Sequence, residues 1–336
     1  MIADGAAERN PRTFDEPGAL RSYARMSRSA LAATLVALTA AQVAHAQARP
    51  FASYRRLTSA NGWAPLVYDV ESRRVTVFRE NMYRFPAPGQ ETRDLAYDLY
   101  LGLRAGGRGG WLSEVALDEV GYEPGTNLVR TVQRSEGLRV TTTYYAPYDL
   151  PARAFVVVAE VVAERDVTDA TLYSLHNFHL GSGPDATVGE RIGRRGAALV
   201  ETGVGPGALV ILPLTPAAHA TASPENPYGL VNAGRPFADV LPAGPVDDGV
   251  SGFQFDVGSL ARGATAHIAL AVAWAPSGDA AGTIAQLEAW QARRAPPELL
   301  TAARAEWAAW LRRGHLPVTQ ADEAAVALQS MAILRM

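Results

Sequence analysis

From Val75 to Trp274 the apolar positions recur in short runs broken by glycine and proline turns, a pattern of strands rather than helices. Leu95, Tyr97, Leu99, Leu101 and Leu103 alternate with Ala96, Asp98, Tyr100 and Gly102, the period of two that predicts a strand. Val75–Phe78, Leu128–Val132 and Leu138–Tyr145 predict further strands, the last two rich in β-branched and aromatic residues. Phe155–Val162 is apolar enough to predict a central strand covered on both faces. Ala170–Phe178, Ala197–Glu201, Ala208–Leu212, Phe253–Val257 and Ala266–Trp274 bring the total to roughly ten. Turns such as Glu123–Gly125 and Gly181–Pro184 lie between many of them. Pro213–Gly249 is proline-rich and reads mostly as loop, and no helix is predicted before Thr283. Strands in this number without intervening helices predict two packed antiparallel sheets.

Near Thr283 the pattern changes to Ala, Glu, Gln, Trp and Arg, and Thr283–Arg294 reads as a linker helix. Pro296, Pro297 and Glu298 open a second helix with Leu300, Ala303, Trp307, Trp310 and Leu311 on one stripe. Arg312, Arg313 and Gly314 close it, with Pro317 beyond. Thr319–Asp322 has the spacing of a capping box for a third helix, Glu323–Met336. Val326, Leu328, Met331, Ile333, Leu334 and Met336 point to more than one side, so that helix is expected to be buried all round. Nothing in the chain is left over to bury it, and the chain therefore reads as the front part of a longer protein.

The N-terminal end carries an address. Residues 1–25 are polar and read as a non-native extension. Met26–Arg28, an apolar run Ala30–Ala41 and Ala44–Ala46 before Gln47 form a signal peptide, residues 26–46. The run is too short for a membrane anchor, which needs about 20 apolar residues. The mature chain is expected to begin near Gln47, to be periplasmic or extracellular, and to have no membrane association after cleavage. It has no cysteine, so core burial rather than disulfides must hold it together.

Composition sets outer bounds. The 336 residues, 48% hydrophobic and 19% charged, are ample for a sizeable core. The net charge of −3 without a basic stripe gives nucleic-acid binding no support. No G-x-S-x-G elbow, H-E-x-x-H pair or phosphate loop is present, and thiolate chemistry is excluded. His176 and His179 are the nearest thing to a metal pair, with Asp185 and Glu190 as further oxygen donors. On a strand, residues three apart face opposite ways, which argues against convergence on one ion. Asp247 and Asp248 before Gly249 lack the alternating oxygen ligands of a calcium loop and read as an acidic turn. Glu114, Asp118, Glu119, Glu123 and Glu190 are candidate carboxylates for sugar chemistry, but spacing alone brings no two together. Tyr83–Phe85, Trp111, Tyr122, Tyr144, Tyr145 and Tyr148 suit either sugar stacking or a core, and core is the commoner use. No catalytic, cofactor or metal residue is assigned.

Several segments together resemble the N-terminal part of bacterial glucoamylase-like proteins of glycoside hydrolase family 15. They are Arg56–Gly62, Tyr122–Thr126, Tyr144–Pro147, Leu175–Gly181, Asp247–Asp248 ahead of Gly252–Phe255, Ser259–Gly263 and Ala327–Arg335. The resemblance implies a β-supersandwich of the galactose-mutarotase type over residues 47–282, a helical linker over 283–316 and the start of an α/α barrel over 317–336. It further implies that two glutamates of the barrel hydrolyse α-glucosidic bonds of α-glucans or malto-oligosaccharides with inversion, and that neither lies in this chain. The expected role is a non-catalytic domain, inactive alone and without cofactor. A stand-alone carbohydrate-binding sandwich is the alternative. A mutarotase-like epimerase is the third reading, and it requires His176 or His179 to meet a carboxylate in one cleft.

Overall fold

The computed structural model describes residues 55–80, 93–181, 187–314 and 320–336, all within the unit Pro50–Met336. In chain order the strands are β1 (Arg56–Ala60), β2 (Pro65–Asp69), β3 (Arg74–Phe78), β4 (Ala96–Ala105), β5 (Arg108–Trp111), β6 (Glu119–Tyr122), β7 (Val129–Ser135) and β8 (Leu138–Tyr145). They continue as β9 (Arg153–Ala163), β10 (Val167–Phe178), β11 (Arg191–Arg195), β12 (Ala198–Thr202), β13 (Ala208–Pro213), β14 (His219–Ala222), β15 (Val250–Leu260) and β16 (Thr265–Ala275). The helices are α1 (Pro227–Asn232), α2 (Ala280–Gln291), α3 (Pro296–Leu311) and α4 (Ala321–Arg335).

Two antiparallel sheets form a sandwich. The first runs β1-β2-β3-β4-β10-β15-β14, with β5 also paired to β4; the second runs β11-β12-β13-β16-β9-β8-β7-β6. All ten predicted strands are present, and the predicted two-sheet antiparallel architecture is the one observed. The strands that pattern did not reveal are short: β1, β2, β5, β6, β11 and β14 have four or five residues each. The stretch read as loop, Pro213–Gly249, holds both β14 and α1. The α1 helix follows helix-start chemistry, with Asn226 accepting from the Tyr228 N–H and Pro227 in the first turn.

The second sheet is covered on both sides, as its central strand predicts. Along β9, Phe155, Val157, Ala159 and Val161 face the inter-sheet core, while Ala154, Val156 and Val158 face the helices. On β16 the division is sharper. Ile268, Leu270, Val272 and Trp274 fill the core, and Ala269, Ala271, Ala273 and Ala275 line the outer side. That alanine stripe lets α2 and α3 lie close, with Leu287, Trp290, Leu299 and Trp307 seated against the sheet. The predicted stripe packs as expected, with Trp307 buried and Leu300, Ala303 and Trp310 partly buried against the same cluster, and Leu299 joins it as the fully buried leucine of α3.

One buried amide fastens the helices to the sandwich. The Asn127 Nδ2 donates to the carbonyls of Ala60 (3.0 Å) and Ala146 (2.9 Å), and its Oδ1 accepts from Trp307 Nε1 at 2.9 Å. The α4 helix then docks on the same region, which corrects the expectation that nothing here could bury it. Gln329 accepts from the Gly125 N–H (3.3 Å) and donates to the Thr126 carbonyl (3.0 Å), and Ala332 and Met336 are buried. Gly125 is left-handed at φ +72°, and a Cβ there would sit 3.1 Å from Leu311 Cδ1. The Arg335 guanidinium lies 3.9 Å from the Tyr148 ring centroid and 4.7 Å from that of Trp307, and pairs with Glu306 at 2.8 Å. The burial is one-sided, for Val326, Ile333 and Leu334 are exposed. Thr319 lies outside the described residues; Gln320 occupies the N-cap position and makes no side-chain bond there.

Trp307→Phe keeps most of the ring but removes the donor to Asn127. Leaving that buried oxygen without it should cost about 1–3 kcal/mol in urea unfolding. Hydrogen exchange in α4 should rise relative to β9; an unchanged midpoint would contradict the fastening role.

A second expectation concerns Glu201. It lies on the core face of β12, fully buried, and neither carboxylate oxygen has a hydrogen-bond partner. Burial, reinforced by nearby Glu190, pushes its carboxyl well above the usual range. A raised folded-state pKa means that its contribution to stability is greatest in acid. That contribution declines once the unfolded-state carboxyl ionises, by up to about 1.4 kcal/mol per pH unit. Glu201→Leu should therefore gain on the wild type as pH rises from 5 to 8 in urea melts. A constant gap would show that Glu201 does not change protonation on unfolding.

Candidate functional site

The polar residues of interest gather at the end of the first sheet's outer face that, among the described residues, carries no apolar cover. Over one part of that face, Tyr100, Trp111, Tyr173 and Leu175 are buried beneath α1 residues Leu230 and Val231 and beneath Phe237. The β4–β10 ladder pairs Gly102 with Tyr173, Tyr100 with Leu175, and then Asp98 with Asn177. The same face thus passes from apolar to polar in one step along the strands.

A bulge follows at once. Asn177 opposes Asp98, but Phe178 opposes Ala96, leaving Tyr97 as the extra residue of β4. The phase of β4 changes there: Leu95 and Ala96 are both buried and Tyr97 is 55% exposed. This corrects the grouping of Tyr97 with the leucines. Its ring stacks on His179 with centroids 4.5 Å apart and planes 20° apart.

His179 follows the end of β10 and donates its backbone N–H to the Leu95 carbonyl at 2.9 Å. Its Nε2 lies 3.3 Å from Asp248 Oδ1, which also accepts from Asn177 Nδ2 at 3.2 Å. Asp248 has φ +53°, an uncommon backbone state for a residue with a side chain. Asp98 pairs with Arg74 Nη1 at 2.7 Å. Burial raises the Asp98 carboxyl despite the opposing pull of Arg74 and His179, and the charge of Asp248 adds to the rise. Arg74, Tyr97, Asp98, Asn177, His179 and Asp248 therefore form one cluster.

Glu190 builds the frame behind it. Its side chain is fully buried, Oε1 accepting from the Leu180 N–H (3.1 Å) and Oε2 from the Gly249 N–H (2.8 Å). Its backbone exchanges two hydrogen bonds with Val246, at 2.8 and 2.7 Å. One carboxylate thus joins the segment after His179 to the segment after Asp248. Burial raises its carboxyl, against the stabilising effect of the Gly249 and Leu180 amides. Asp247 accepts from the Gly189 N–H at 2.9 Å and completes this frame.

The two histidines face opposite ways, as strand geometry requires. His176 points inward, its Nδ1 3.2 Å from Ser251 Oγ and its ring against Phe253, and burial lowers its pKa to about 3. It is a neutral core residue and cannot join His179 at one ion. Among the described residues no group of three His, Asp or Glu could hold a metal; Asp185 lies outside them. The remaining candidate carboxylates disperse. Asp118 pairs with Arg134, Glu119 with Arg130 and Glu123 with Arg304, while Glu114 accepts from the Tyr228 hydroxyl. Trp111, Tyr144 and Tyr145 are buried, and Tyr122 and Tyr148 are partly buried with their hydroxyls bonded to backbone carbonyls. Tyr83–Phe85 lie outside the described residues. Sequence reasoning missed Arg74, Tyr97, Asp98 and Asn177; the available signal was Asp98, the one carboxylate inside β4.

No family model matches this chain, and no curated protein matches it. Among solved structures, a bacterial glucoamylase complexed with acarbose is similar over 83% of this chain, with a TM-score of 0.57 and 9% identity. An aldose epimerase homologue from C. elegans is similar over 66% of this chain and 99% of its own, with a TM-score of 0.44 and 9% identity. The chain spans 41% of the length of that glucoamylase. At such identity the likeness to the glucoamylase shows the fold alone.

Glu190→Ala should release the two amides it holds. Exchange at Leu180 and Gly249 should quicken while β9 amides stay protected. Protection unchanged at both positions would remove Glu190 from its framing role.

Proposed function

We propose that this chain is the β-sandwich domain of an exported glucoamylase-like glycoside hydrolase acting on α-glucosidic bonds, with catalysis supplied by an α/α barrel that the chain does not contain. The observation that carries the reading is the fold shared with a bacterial glucoamylase across 83% of this chain and 41% of that one. The family resemblance of segments from Arg56 to Arg335 points the same way. So does the α4 helix, docked through Gln329 and Arg335 yet exposing Val326, Ile333 and Leu334. Such a one-sided apolar stripe suits packing against further helices. The signal peptide at residues 26–46 places the protein in the periplasm or outside the cell, and its substrate class is α-glucan or malto-oligosaccharide.

One observation favours the second reading, a non-catalytic carbohydrate-binding sandwich. The polar cluster around Asp98 and His179 occupies an open sheet face beside an exposed ring. It also brings a histidine, His179, to a carboxylate, the arrangement that an epimerase would use.

Residues 47–336, purified and incubated with maltotriose or soluble starch, should release no glucose above a mock preparation. Glucose release above that background would overturn the assignment of catalysis to a barrel outside this chain.

A further inference from the structure

We propose that the open end of the first sheet's outer face is a binding site for a neutral pyranose, which lies on Tyr97 and bonds through its hydroxyls to the Asp98, Asn177, His179 and Asp248 group. The inference deepens the carbohydrate-binding reading by naming the face and the ligand class. It rests on geometry and does not depend on hydrolysis by any part of the protein.

Three features carry it. First, the floor of the cluster holds buried polar groups that local bonding leaves incomplete. Asn177 is 6% exposed, its amide nitrogen engages Asp248, and its Oδ1 has no hydrogen-bond partner. A buried acceptor left in that state costs about 1–3 kcal/mol. The neighbouring apolar part of the face shows that this sheet can be sealed by aromatic residues and a helix. Second, Tyr97 is 55% exposed because a bulge turns it outward, and His179 supports one side of its ring. A fixed aromatic ring with an accessible face suits the C–H face of a sugar. Third, the charges select against ions. Asp98 is neutralised by Arg74 at 2.7 Å, while Asp248 keeps an exposed carboxylate beside His179. That balance repels carboxylated or phosphorylated sugars and offers acceptors to hydroxyl donors. Arg74 and His179 supply donors in the same group.

The cluster lies on the first sheet's outer face, whereas α2 and α3 cover the outer face of the second. Substitutions in it therefore leave the Asn127–Trp307 fastening untouched.

The test is a titration of residues 47–336 with methyl α-D-glucopyranoside, maltose and D-glucuronate, followed by calorimetry and ligand-observed saturation-transfer NMR. Far-UV circular dichroism of each variant checks its fold. Wild type should bind the two neutral sugars saturably and glucuronate at least tenfold more weakly. Tyr97→Ala should weaken neutral-sugar binding at least tenfold and Asp248→Asn several-fold. Trp63→Ala, which removes an exposed ring from the turn between β1 and β2, should bind as wild type does. Neutral-sugar binding that survives Tyr97→Ala would overturn this site while sparing carbohydrate binding by the sandwich. A flat titration with both neutral sugars would overturn the site and the binding-sandwich reading together. It would leave the glucoamylase-like assignment to be decided by glucose release.

Discussion

The fold depends on a sheet whose two faces are both apolar. β9 and β16 present Phe155, Val157, Leu270 and Val272 to one side and Val156, Val158 and five alanines to the other. Either face left in water would forfeit the burial that stabilises the chain, at about 25 cal/mol for each Å² of apolar surface. The first sheet satisfies one side and the helices α2 and α3 the other. The order of elements follows from this need: strands first, then helices returning over the sheet that remained uncovered. Asn127 sets where they return, since its two donors hold strand ends and its acceptor holds Trp307. Without cysteine, polar fastenings of this kind and close packing hold the layers in register.

Among the described residues, the first sheet has no such second cover over its whole length. A short helix and Phe237 seal the part around Trp111, and the ladder then reaches Asp98 and Asn177 with nothing apolar left to hide. The open cluster is thus a consequence of how far the cover extends. Glu190 stiffens it from inside the sandwich, where Glu201 lies close by without a partner. Two buried carboxyl groups behind an exposed polar surface are a costly arrangement for a sheet with no role beyond packing.

Much of the sandwich was legible because its long strands carry their partners' requirements in their own composition. Leu138–Tyr145 is recovered with both ends correct, and Phe155–Val162 declares its double burial by lacking a polar phase. Short edge strands such as β6 and β11 carry too few residues to show a period. The helix at Pro227–Asn232 was hidden by surrounding prolines and glycines, although Asn226 followed by Pro227 is a start signal. The candidate site was less legible for a different reason. His179 and Asp248 are 69 positions apart, and Gly125 and Gln329 are 204 apart, so no local pattern could join them. Tyr97 was misplaced because alternation assumes an unbroken ladder, and one inserted residue breaks the phase at that point, although Leu95 beyond it stays in the core.

That inserted residue has a consequence for how the strand can vary over evolution. Chemical identity at position 97 is free to drift without disturbing the core, since the side chain lies outside it. Chain length there acts differently. A deletion would close the bulge with Ala96 still opposite Phe178, and would remove the outward-turned position altogether. Among descendants of this sheet, the core should therefore tolerate replacement at the bulge, whereas loss of the position would take away the place from which a ring can face outward.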